Sequence, residues 1–161
     1  IDSWSTRLTF DPSPNWSAQI STGHLRKPEA TEPGDIQRTT ASVSYSAAIA
    51  AGQLDTSVIF GHNDKSEGGS TSSLLAEGTL RFLDRNYVSG RAEIVDKDEL
   101  SVTGIHRIKA LTIGYSRDVF DVNPVTVAIG GNITGYSIPD AIKPAYGDPR
   151  SIYLFLRLRG H

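Results

Sequence analysis

Apolar and polar residues alternate with period two along most of this chain, and a 3.6-residue period is almost absent. In residues 74–83 (LLAEGTLRFL), Leu74, Ala76, Gly78, Leu80 and Phe82 fall on one face, and Leu75, Glu77, Thr79, Arg81 and Leu83 on the other. Residues 87–97 set Val88, Gly90, Ala92 and Ile94 against Tyr87, Ser89, Arg91, Glu93 and Lys97. Residues 39–46, 125–136 and 152–159 alternate in the same way. Weaker sets mark strands at 4–10, 16–25, 54–63 and 107–117, carried by Trp4/Leu8/Phe10, Trp16/Ala18/Ile20, Val58/Phe60 and Leu111/Ile113/Tyr115. About nine amphipathic strands result.

The connections read as alternately short and long. Tight turns are predicted at 11–15, 47–52, 84–86 and 120–123, and longer polar loops at 26–35, 64–72, 96–104 and 139–150. Short turns at one end and loops at the other predict an all-β, antiparallel up-and-down β-barrel of about eight to nine or more strands, as one domain over 1–161. Most strands run roughly 9–11 residues, the length that crosses a bilayer at a tilt. An apolar outer face toward lipid then requires a polar lumen, with Glu77, Arg81, Arg91, Glu93 and Arg157 as its ion-pair candidates and Arg7 and Gln19 beside them. Trp4, Phe10, Trp16, Tyr45, Phe60, Phe82 and Tyr87 sit near strand ends and are the candidates for an interfacial aromatic girdle. The expected partner is a lipid bilayer or detergent. The alternative is a soluble β-barrel that turns its apolar face inward around a small apolar ligand.

Composition narrows the choices. The 161 residues are enough for one domain with a core. Hydrophobic residues at 38% are sparse for a compact globular domain. A net charge of -2 leaves no electrostatic footprint for nucleic acid. With no cysteine there is neither a disulfide framework nor a thiolate metal site. The longest uncharged run, 122–139, holds prolines, asparagines and glycines and alternates, so it does not read as a membrane helix. No leader segment precedes Ile1, so the chain reads as a mature form, a processed piece or an excised segment.

The stretches DSWSTRLTFDPSPNWSAQISTGHLRKPE, LLAEGTLRFLDRNYVSGRAEIVDKDEL and SIYLFLRLRG resemble the C-terminal part of uncharacterised bacterial outer-membrane β-barrel proteins. The resemblance implies an outer-membrane location and a passive wall, pore or scaffold without catalytic activity. It carries no catalytic residues, cofactor or metal. Such barrels have an even strand number, so nine strands imply a fragment with two open edges, which close onto each other or self-associate.

Other chemistry is weaker. His24 and His62 fall near loop-side strand ends, while His106 and His161 stand apart; exposed or interfacial histidines are favoured over a shared metal. Asp96, Asp98 and Glu99 lack the loop pattern of an EF-hand and read as a solvated loop. The GGNITG run at 130–135 lacks the following Lys-Ser/Thr of a phosphate-binding loop. Glu77 and Glu93 suggest a glycosidase-like carboxylate pair, but ion pairing with Arg81 and Arg91 is favoured. The hairpin at 84–86 predicts 77 near 93, 79 near 91 and 81 near 89, with a Glu77–Arg91 contact and Glu93 reaching Arg81 or an arginine of another strand. No G-x-S-x-G elbow is present.

Overall fold

A computed structural model describes residues 2–28, 34–98, 100 and 102–160. The strands are β1 (Trp4–Ser13), β2 (Trp16–Arg26), β3 (Asp35–Ile49), β4 (Gly52–Lys65), β5 (Gly69–Phe82), β6 (Asn86–Lys97), β7 (His106–Val122), β8 (Val125–Ser137) and β9 (Arg150–Gly160), with a short helix α1 (Lys143–Tyr146) before β9. They form one nine-stranded antiparallel sheet in simple sequence order, β1 to β9. The alternating faces persist through the middle of the sheet, where in-register pairing stacks like on like. One row runs Tyr45, Thr56, Gly78, Gly90, Ile113, Ile133, Ile152, and the adjacent row on the other face runs Ser44, Ser57, Glu77, Arg91, Thr112, Thr134.

The turns explain where the strands stop. β3 reverses into β4 at Gly52, where φ is +142° and a Cβ would press within 1.9 Å of the Arg81 carbonyl oxygen, so only glycine fits. β4 and β5 extend to Lys65 and Gly69, which turns the predicted loop at 64–72 into a tight reversal at 66–68. The strict alternation of short and long connections therefore fails there. The β5–β6 reversal uses Leu83 and Asp84 in left-handed backbone, at φ 48° and 58°. Because Leu83 leaves the strand, the hairpin pairs Glu77 with Arg91 and Leu75 with Glu93, a slip from the register that a turn at 84–86 predicts. The 26–35 connection lies partly outside the described residues, as do Glu99 and His161.

The sheet is open. β1 is paired only with β2, and β9 only with β8. This overturns the expected β-barrel, and with it the resemblance to an outer-membrane β-barrel, the pore-like function, and the bilayer or detergent partner and outer-membrane location that followed from a closed wall. It equally overturns the soluble ligand-binding barrel, which also needs closure. The reason is physical. Period two records which face a side chain takes; closure depends on whether the tilt and stagger of the strands bring the two ends into one ladder. The ladders slip at just two places among the described residues, between Phe10 and Ser13 and between Asp118 and Phe120, so few bulges coil the sheet. Arg159 on β9 and Tyr87 on β6 lean toward each other over the polar face, meeting across two intervening strands. No helix among the described residues is long and apolar enough to cross a membrane.

The core is small. Among the described residues, the buried hydrophobic side chains are Ile36, Ala47, Ala128 and Ile142. Ile142, 1% exposed, belongs to the β8–β9 connection, which folds over the polar face at its loop end.

Candidate functional site

The middle of the polar face is a hollow of about 430 Å³, lined by Ser44, Asp55, Ser57, Glu77, Thr79, Ser89, Arg91, Thr112 and Asn132 from β3 to β8. Period two delivers one polar side chain per strand to each cross-strand row, and the hydroxyls pair across the ladders. Ser21 and Thr40 lie 2.6 Å apart, Ser44 and Ser57 2.9 Å, and Thr112 and Thr134 2.8 Å. Arg91 stands at the centre. Its Nη2 donates to Glu93 Oε1 at 2.7 Å, and its Nη1 lies 3.6 Å from Glu77 Oε2. The hydrogen bond to Glu93 is the main cause holding the Arg91 guanidinium protonated beyond its ordinary range; slight burial opposes it, and the charges of Glu93 and Glu77 add to it. Both carboxylates thus serve one guanidinium. Arg81 turns away, donating from Nε to the Asp84 carbonyl at 3.1 Å.

Arg157 stands elsewhere, near the turn end. Its guanidinium lies 5.2 Å from the Tyr87 ring centroid, and that of Arg159 lies 5.8 Å away. The Tyr87 hydroxyl donates to Asp118 Oδ2 at 3.1 Å, and Arg159 Nη2 donates to the same oxygen at 2.7 Å. Tyr87 faces the polar side, as its alternation with Ser89 and Arg91 predicts, and anchors Asp118 there, apart from the other aromatics named for a girdle. Trp4, Phe10, Trp16, Tyr45, Phe60 and Phe82 do carry the apolar parity, and Trp16 and Tyr45 pack with ring centroids 4.7 Å apart.

A second set of charges closes the loop end. Lys65 Nζ lies 2.7 Å from Asp98 Oδ2. Arg107 grips Asp96 through two bonds, at 2.8 and 3.0 Å, and Asp96 Oδ2 also accepts from the Ser72 amide at 3.1 Å. The Arg107 hydrogen bond chiefly, with help from the Ser72 amide and against the desolvation of partial burial, holds the Asp96 carboxyl below the usual carboxylate range. His24 lies 3.5 Å from Asp35, His62 Nδ1 is 2.9 Å from the Ser72 hydroxyl, and His106 Nε2 is 3.3 Å from the Val102 carbonyl. Each of these histidines has a partner of its own. Beside them, Val95, Leu100, Ile108, Ile138, Ile142 and Tyr146 line an apolar hollow of about 310 Å³ beneath the β8–β9 connection.

The opposite face is different in kind. Leu8, Phe10, Ile20, Val43, Val58, Leu74, Leu111, Ile113, Ile133, Ile152, Leu154 and Leu156 stand exposed on it, Ile113 at 62% and Leu154 at 79%. No segment of the described chain covers it.

Sequence reasoning missed Asp118, Arg159 and Ile142. Asp118 and Arg159 lie 41 positions apart, and no local spacing links them. Ile142 lies in a loop punctuated by Pro139, Pro144 and Pro149, where its apolar neighbours Ala141, Ala145 and Tyr146 follow no strand period. No family model, curated relative or solved structure matches the chain.

Proposed function

We propose that this chain is a non-catalytic packing module, an antiparallel sheet that keeps one face in water and offers the other for burial against an apolar surface. The observation that carries the reading is the continuous exposed apolar face. At a strand spacing of about 4.8 Å it is about 43 Å wide, and eight residues of strand give it a height of about 26 Å. Apolar patches on proteins that remain alone in water rarely exceed a few hundred Å². The polar face supports the reading from its own side. Its central charges are tied to one another, Arg91 bridging Glu77 and Glu93, which suits a sheet that has to stay ordered more than one that has to move protons.

Retention on a phenyl matrix tests this. The double substitution Ile113→Lys with Ile133→Glu, which puts an opposite-charge pair across one ladder, is expected to cut retention sharply while leaving the unfolding midpoint of a single copy nearly unchanged. Loss of folding to the degree expected of core residues would mean that the face is an internal core, and the reading would fail.

A further inference from the structure

We infer that the surface covering the apolar face is a second copy of this chain, packed face to face as a two-layer sandwich; this rests on the packing-module reading and names its partner. Area is the first argument. If only β5–β9 of each copy overlap, the shared patch is about 24 Å by about 26 Å. Counted on both copies this comes to about 1,200 Å², the lower bound of specific, stable interfaces, and a fuller overlap exceeds it. Two twisted sheets stack in this manner about 10 Å apart, their inner side chains interdigitating.

The relief of the face is the second argument. Midway along β5 and β6 it is shallow, with Ala76, Gly78, Gly90 and Ala92 lying between the Leu74–Ile94 and Leu80–Val88 pairs. Over β8 and β9 it is high, with Ile133, Ile152 and Leu154 exposed. A two-fold axis parallel to the strands, between the copies, sets the high region of each over the shallow region of the other, twice by symmetry. One operation therefore buries both high regions and fills both shallow ones. Gly90 is informative because a Cβ there meets nothing within 4 Å in its own copy. A Cβ at that point has room within one copy, so a side chain built on it projects from the face toward the second copy.

Sedimentation velocity over a concentration series, in buffer without detergent, tests the inference. The expected result is a two-copy species in reversible exchange with single chains. Gly90→Leu should weaken the pair by about tenfold or more, as overpacking does at a close-fitted contact, with the β-sheet circular dichroism retained. Leu154→Asp, on an edge strand where folding tolerates it, should weaken the pair similarly. Ser89→Ala on the opposite face should leave it unchanged. Single chains at every concentration that bind an apolar-sensing dye through the face would overturn the second copy and leave the packing module standing. Single chains that ignore the dye, with the Ile113→Lys and Ile133→Glu double substitution neutral, would overturn both. Open-ended assemblies, pairs indifferent to both Gly90→Leu and Leu154→Asp, or a monodisperse species obtained only in detergent micelles would each overturn the pairing.

Discussion

The two faces of this sheet are built from the same strands and the same ladders, yet they solve opposite problems. On the polar face, side chains are tied to one another: hydroxyls in cross-strand pairs, Arg91 between Glu77 and Glu93, Asp118 held by Tyr87 and Arg159, and Ile142 pressed in from the β8–β9 connection. On the apolar face, Ile113, Ile133 and Leu154 have neighbours beside them and nothing above. The lesson is that, in a single copy, stability and adhesion are separable. Substitutions on the tied face act on folding, and those on the bare face act on what the sheet sticks to.

The comparison is broken most severely at Ile142. Truncation to alanine removes a fully buried side chain, and the expected loss is about 2–4 kcal/mol in denaturant unfolding. Ile113→Ala in a single copy should cost well under half of that, because that side chain is already wet. Equal losses would erase the distinction between the faces. Arg159→Ala comes next. It strips one of the two donors from the buried Asp118 carboxylate and frees β9 from β7, with an expected cost of about 1–3 kcal/mol; the same unfolding experiment reads it, and Arg159→Lys should restore part of the loss.

The Asp96 carboxyl sharpens the comparison through pH. Its folded value lies below the unfolded one, about 3.9, so the stability it contributes is fully present above that value and is lost as pH falls through the lower folded value. Thermal unfolding followed from pH 6 to pH 2.5 should show wild type losing more of its midpoint below about pH 4 than Asp96→Asn does. The smallest effect is expected at the centre of the polar hollow. Glu77 and Arg91 stand near half exposure, so a double-mutant cycle of Glu77→Ala and Arg91→Ala should give a coupling of only about 0–1 kcal/mol. A coupling of about 3 kcal/mol or more would mean that this face is sealed from water.

Much of the fold was legible from alternation alone. The strands, their order of reversal and the face taken by Leu74 or Arg91 all follow from period two. What alternation cannot encode is what happens at the reversals and at the ends. Leu83 looks like one more strand residue; its left-handed backbone ends β5 early and slips the hairpin register. Tyr87 falls on the polar face by period two, beside Ser89 and Arg91; what alternation leaves out is the partner of its hydroxyl, Asp118, which is remote in the chain. Barrel closure was inferred from strand length and loop spacing, neither of which reports whether β1 and β9 meet. Of the candidate site, the sequence named Glu77, Arg91 and Glu93, and it missed every group whose partner is remote in the chain.

The uncrossed strand order has a consequence for how this molecule comes into being. Each ladder joins strands adjacent in the chain, so assembly needs no closure of a long loop between distant segments. Any hairpin formed in microseconds offers an edge to the next strand, and growth proceeds outward in both directions, like a zipper with several starting points. Rates in such a topology depend on local hairpin encounters more than on a search for remote partners. Synthesis from the ribosome, one strand at a time, delivers each new strand beside the edge it pairs with.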